Sequence, residues 1–330
     1  MNLNSILNKV QSNHIIYESF EKADQILNHS NYQNIMVSVS GGADSDIILD
    51  ICQQLQADVH YVFFNTGIEY QATLDHLDYL ESHYGITIER IMAPVPVPLG
   101  VQKYGLPFLN KFVSTAIGSL EKHNFPFKDM SVEEMKDYPI GYTKWWNNRY
   151  RNEGFSSCQF DINYNKYLKE FLIANPPTFQ ISKKCCDGAK KNASKQYIKE
   201  HDIDLTLLGI RKAEGGIRAA KYKTCFDNKD WVSKYRPIFW YTNKDKEDYE
   251  RIFGIQHSRC YTEYGLKRTG CCGCPYDRDF EQTLEIIKEK EPKLYKAVNN
   301  IFGESYEYTR KYREFQKSQK EITDNTYLDK

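Results

Sequence analysis

Two groups of residues have the types and the spacing to do chemistry. The first is Ser40-Gly41-Gly42-Ala43-Asp44-Ser45, which follows an apolar run from Ile35 and precedes Ile47, Ile48 and Ile51 at helical spacing. That order reads as a buried strand, a tight turn and a helix start. Paired glycines let the backbone come close to a ligand. Ser38, Ser40 and Ser45 add hydroxyls, and the unpaired N–H groups of a helix start favour an anion. The chemistry is the holding of a phosphate or pyrophosphate. The run lacks the Gly-Lys-Ser/Thr end of a Walker loop and the Gly-x-Gly-x-x-Gly of a dinucleotide fold.

The second group is Cys185-Cys186 and, much later, Cys271-Cys272-Gly273-Cys274. Cys271 and Cys274 have the Cys-x-x-Cys spacing that lets one turn present two sulfurs to one metal. With Cys185 and Cys186 they make four thiolates, enough for zinc or for a [4Fe–4S] cluster. Spacing leaves both open. Lys183, Lys184, Lys190, Lys191, Lys267 and Arg268 flank these cysteines. Cations there lower thiol pKa values and offset the negative charge of a cluster.

The elements that must position these residues follow from periodicity. Val59 to Phe64 is a second buried strand, followed by Asn65-Thr66-Gly67-Ile68-Glu69 and a helix to about Tyr84; Ile86 to Ile91 is a third strand. Leu205 to Leu208 is a further strand, running into Gly209-Ile210-Arg211, with Arg218 downstream. Ligands of open parallel sheets bind beyond the carboxyl ends of the strands. Asn65, Thr66, Gly67, Glu69 and Gly209 are therefore expected near Ser40. Arg211 and Arg218 are expected to clamp phosphate oxygens by bidentate hydrogen bonds. Helices are expected from the double cysteine to about His201, over 243–253 and over 279–290, before a polar tail.

Composition sets the class. Lys plus Arg and Asp plus Glu are equal at 44 each, so no global basic field argues for nucleic acid. No run of 18 apolar residues predicts a membrane span, and Met1-Asn2-Leu3-Asn4-Ser5 lacks the features of a signal peptide. Nine cysteines in a cytoplasmic protein are expected to be reduced or bound to metal. Cys52, on an apolar helix face, reads as a buried, inert thiol. Residues 94–180 begin irregularly, with Pro94, Pro96, Pro98 and Pro107. There, Lys144-Trp145-Trp146-Asn147-Asn148-Arg149-Tyr150-Arg151 reads either as a patch that stacks bases and pairs phosphates or as a packed tryptophan pair.

The Ser-Gly-Gly-x-Asp-Ser run, Thr66-Gly67-Ile68-Glu69, the double cysteine, Gly209-Ile210-Arg211 and the Cys-x-x-Cys together resemble the phosphoadenylyl-sulfate (PAPS) reductase-like family of the PP-loop ATP pyrophosphatase superfamily. The cysteine pattern is similar to that of its iron–sulfur members, the adenylyl-sulfate reductases and the DNA phosphorothioation enzymes. The resemblance implies a parallel, doubly wound α/β sheet of the adenine nucleotide alpha hydrolase type. It implies an N-terminal helical cap (1–33), a PP-loop half (34–93), an inserted helical segment (94–180), a half with the cysteine cluster (181–280) and a C-terminal helix and tail (281–330).

It also implies ATP or an adenylyl nucleotide with Mg²⁺, a [4Fe–4S] cluster on Cys185, Cys186, Cys271 and Cys274, and cleavage between the α- and β-phosphates that activates an acceptor for sulfur transfer. Partners would be the nucleotide, a sulfur donor and a nucleic-acid or small-molecule acceptor, with a homodimer as candidate assembly. The alternatives are a sulfur-reducing enzyme of the same family and a nucleotide-binding module stapled by zinc. The sequence departs from the family pattern at Asn65, where an acid is usual, at Gly215, where a serine is usual, and in having no cysteine after Cys274 to serve as the reductase nucleophile.

Overall fold

The structure, a computed structural model, describes residues 2–150, 158, 160–215, 222–228 and 231–328. It divides into two compact units. One is Met1–Pro94 with Ala189–Cys272, and the other is Val95–Gly188 with Gly273–Lys330.

The first unit is an α/β sheet. Its strands are β1 (Ile35–Ser38), β2 (His60–Asn65), β3 (Ile88–Met92), β4 (Leu205–Leu207), β5 (Phe226–Asp227) and β6 (Ser233–Tyr235). Their spatial order is β3-β2-β1-β4-β6-β5, all parallel except the edge strand β5. Val37 pairs with Tyr61 on one side and with Leu207 on the other. The chain winds outward from β1 to β3 and then returns to the opposite side of β1. The order reverses beside β1, which is where such sheets leave a crevice for a ligand.

Side-chain alternation decides what fills each face. Ile35, Val37 and Val39 pack on one face with Ile47, Ile48, Leu49, Phe20 and Tyr249. Met36 packs on the other with Val62, Tyr197, Ile198 and Val232. Period two then carries Ser38 and Ser40 to the Met36 face. The two N-terminal helices, Leu3–Val10 and His14–Asn28, are capped by Asn2 and Asn13. They cover the first face through Ile6, Val10, Ile16 and Ala23.

The second unit is helical. Trp145 and Trp146 are 0% exposed and pack among Phe108, Phe125, Phe171 and Tyr308. The tryptophans therefore form core and no stacking platform; Arg151 lies outside the described residues. The polar tail expected after 290 is instead one helix, Pro292–Leu328. Its buried face is Val298, Phe302, Ser305, Tyr306, Thr309 and Tyr312. Spacings of three and four make it a helical stripe, but tyrosine, serine and threonine give it a polar look in sequence.

Candidate functional site

β1 ends, Val39 N–H donates to the Val62 carbonyl of β2, and the turn Ser40–Ser45 leads into the helix Ala43–Gln54. Gly41 has φ +64°, and a Cβ there would lie 2.6 Å from Thr73 Cγ2. Glycine is required on both counts. The Ser45 hydroxyl ties the turn together. It donates to the Gly42 carbonyl at 2.7 Å and accepts from the Ser40 N–H and the Gly42 N–H at 3.2 Å each and from the Ser40 hydroxyl at 3.1 Å. Tyr261 Oη accepts from the Ala43 N–H at 3.3 Å. Gly209, at the end of β4, is pressed against this helix start, where a Cβ would meet the Asp44 carbonyl carbon at 3.0 Å.

A cavity of about 530 Å³ opens at the carboxyl end of the sheet. Met36, Ser38 and Ser40 of the β1 face line it, with Phe64, Ile198 and Val232 as apolar wall. Lys190, Lys191, Lys195 and Lys234 also line it, and Glu69 is its acid. Trp231 stands at its edge, 58% exposed. The lysines come from three local features. A π-helical turn, Asp187–Asn192, presents Lys190 and Lys191; the helix Ala193–Glu200 presents Lys195 one residue after Ser194 and three before Ile198; β6 presents Lys234. A pocket with one apolar wall and several ammonium groups suits an anionic ligand with a flat apolar part.

The other residues expected at the site are placed as follows. Asn65 Oδ1 accepts from the Gly67 N–H at 2.8 Å, and Glu69 accepts from the Thr66 N–H at 2.9 Å and its hydroxyl at 2.6 Å. These four residues build a turn that holds Glu69 against the cavity. The Asx-type turn at 65 is a job asparagine does as well as aspartate. Arg211 is buried. Its Nε donates to both Asp44 carboxylate oxygens at 3.1 Å and its Nη1 to Asn243 Oδ1 at 3.0 Å. Lys246 Nζ lies 3.3 Å from Asp44 as well. Arg211 thus binds the end of β4 to the turn through Asp44. Arg218 lies outside the described residues.

Sequence reasoning missed the groups beneath the turn. Asp46 Oδ2 is shared by His76 Nε2 at 3.0 Å and His257 Nδ1 at 2.9 Å. Asp46 directly follows Ser45 in the sequence, the one available signal; nothing local marks the histidines.

Cys185, Cys186 and Cys274 belong to the second unit and Cys271 to the first. Cys185 and Cys186 sit on the short helix Lys184–Cys186, and Cys274 starts a turn closed by Asp277 N–H on its carbonyl at 2.9 Å. Burial pushes the Tyr276 hydroxyl up, and charge on Cys185, Cys186 and Cys274 would push it further. The Tyr276 oxygen is buried without a hydrogen-bond partner; the nearby Ser114 hydroxyl is already engaged by the Phe108 backbone. This sulfur-rich setting with an orphaned hydroxyl suits a thiolate-held group. Among the described residues, no three His, Cys, Asp or Glu side chains are placed to hold a metal ion, and no cysteine forms a disulfide.

The model of the phosphoadenosine phosphosulfate reductase domain matches residues 34–107 and 154–277. The chain belongs to this family. The match covers the PP-loop, both cysteine pairs, β4 and Arg211 after it. Among curated relatives, an uncharacterized protein of Escherichia phage 186 is 24% identical over 265 residues, which is 74% of this chain and 68% of that protein. An uncharacterized protein of Methanocaldococcus jannaschii is 24% identical over 89% of this chain and 48% of its own length. Adenosine 5'-phosphosulfate reductase 2 of Bacillus subtilis is 24% identical over 34% of this chain and 44% of its own length. Among solved structures, a PAPS reductase of Candida auris has a TM-score of 0.41 at 12% identity, over 77% of this chain and 94% of that one. A U34-tRNA thiolase of Methanococcus maripaludis with its [4Fe-4S] cluster has 0.38 at 12% identity, over 91% and 78%. Among the described residues, no helix is long and apolar enough to cross a membrane.

Proposed function

We propose that this family member is an enzyme that binds ATP or an adenylyl nucleotide in the cavity of the first unit. The observation that carries the reading is the cavity itself: Ser38 and Ser40 at one end, four lysines around it and an apolar wall at Phe64, Ile198 and Val232. The Ser40–Ser45 turn takes the pyrophosphate end, with Mg²⁺ accompanying the phosphates. The lysines neutralise their charge, and the apolar wall takes the adenine. An acceptor oxygen attacks the α-phosphorus, and the bond to the bridging oxygen breaks. Pyrophosphate leaves with the electron pair, held by the lysines and the hydroxyls of Ser38 and Ser40. The adenylated oxygen is then a leaving group for a thiol or sulfide donor, which displaces AMP and leaves carbon–sulfur in place of carbon–oxygen.

Cys185, Cys186, Cys271 and Cys274 are the residues that would hold a [4Fe–4S] cluster, which when bound would offer a landing place for the incoming sulfur or a structural staple. The sulfur-reducing alternative is less well supported. With no cysteine after Cys274, reduction would need a thiol from elsewhere in the chain, and two that could be asked to serve, Cys225 and Cys260, are buried.

Two assays test the reading. Exchange of labelled pyrophosphate into ATP, with candidate nucleic-acid and small-molecule acceptors, is expected in the wild type and is expected to need more ATP in Ser45→Ala. Anaerobic purification is expected to give about four iron atoms per chain. One zinc and no iron would make the cysteines a staple, and sulfite release from an adenylyl sulfate would favour the reductase.

A further inference from the structure

The helix that opens at the turn is held by a layer of charge that the proposed reaction does not use. Asp46 is 1% exposed, and its Oδ2 carries both histidines. His257 spans two carboxylates, with Nδ1 on Asp46 and Nε2 on Glu250 Oε1 at 2.8 Å. Glu250 lies 3.6 Å from Lys246 Nζ, which also reaches Asp44. The ring of Tyr261 is 5.9 Å away. The groups facing His257 are thus Asp46, Glu250 and Tyr261, with His76 and Lys246 one bond further. Burial disfavours charge on His257, but its two carboxylate partners outweigh that and raise its pKa to about 9. Burial likewise disfavours charge on Asp46, and the bonds from His257 and His76 hold its pKa below the usual carboxylate value.

We propose that the His257 imidazolium is a positioning residue. By bridging Asp46 to Glu250 it clamps the start of the helix Ala43–Gln54 to the helix Asn243–Phe253, and so keeps the Ser40–Ser45 turn in its anion-receiving shape. The clamp itself stands on this geometry; its effect on ligand affinity rests on the nucleotide reading above. It is closed while His257 is protonated and Asp46 ionised, and it opens as pH rises through the folded pKa of the histidine.

The test follows the full chain from about pH 6 to pH 10 by NMR of the imidazole nitrogens and of the Gly41, Gly42 and Ser45 amides, with ATP affinity measured in parallel. The amides are expected to move with the titration of His257, and ATP is expected to bind about tenfold more weakly at the alkaline end. His257→Gln keeps the alkaline response of the cavity lysines and loses the rest, so the difference between the two profiles belongs to His257. If that variant does not fold, Glu250→Gln is expected to lower the midpoint and carry the amide and affinity profiles down with it. A purely structural histidine would not shift them. Amides that ignore His257, or identical profiles in wild type and His257→Gln, would overturn the clamp. Amides that follow His257 in a protein that binds no ATP would uphold the clamp and remove the nucleotide reading.

Discussion

The two units build their cores from different side chains. The first packs Ile35, Val37, Ile47, Leu205 and Leu207 around parallel strands. The second packs Trp145, Trp146, Phe125, Phe171, Tyr308 and Tyr312 between helices. Tyr308 and Tyr312 keep their polar tips satisfied inside. Tyr308 donates to the Asn175 carbonyl at 2.7 Å and Tyr312 to the Lys166 carbonyl at 2.8 Å. An aliphatic core in a parallel sheet writes itself into the sequence as apolar runs. A tyrosine core does not, because each ring carries a hydroxyl whose partner is remote in the chain. Part of the chain's tyrosine content is therefore interior.

If the units divide labour as they divide their cores, damage to one should be told apart from damage to the other. The largest effect is expected from Trp146→Ala, which empties a fully buried site and should destabilise the fold by about 3–5 kcal/mol in denaturant unfolding. ATP affinity, read well below the transition, should stay within about twofold. A parallel loss of affinity would break the comparison. Arg211→Ala should lower both stability and affinity. It strands Asp44 with Lys246 alone and should cost about 3 kcal/mol while weakening ATP binding as the turn loosens.

Alkaline pH should act on the first unit as well. The raised pKa of His257 adds stability that is fully present below its ordinary value of 6.5 and lost as pH rises through about 9. The melting temperature of wild type should therefore fall more across that window than that of His257→Gln. Ser45→Ala removes the hydroxyl that ties the turn and should weaken ATP binding by about 1–2 kcal/mol in calorimetry. Lys195→Ala should have the smallest effect, under about 1 kcal/mol, and should fade as salt is raised. An effect of Lys195→Ala that survives high salt would mean a buried contact with the ligand.

Strand order aside, most of the first unit could be read from residue pattern: the strand before Ser40, the helix after it, the Thr66–Glu69 turn and the strand into Arg211. These features are local, and glycine, serine and β-branched runs announce them. The charge layer below the turn was not legible. His76, on the helix Gln71–Tyr84, and His257, in the loop after the helix Asn243–Phe253, lie 181 positions apart and share only their bond to Asp46. The partner of Arg211 was equally hidden, since an arginine after a strand looks the same whether it meets a phosphate or an aspartate. The Pro292–Leu328 helix escaped because its buried stripe is made of hydroxyl-bearing residues.

The most direct test of the central claim is a calorimetric titration of the anaerobically purified full chain with ATP and Mg²⁺, repeated on Ser45→Ala. One saturable site per chain, about five- to thirtyfold weaker in the variant, is the predicted result. No heat of binding in wild type, or equal affinity in both, would contradict a nucleotide site at the Ser40–Ser45 turn.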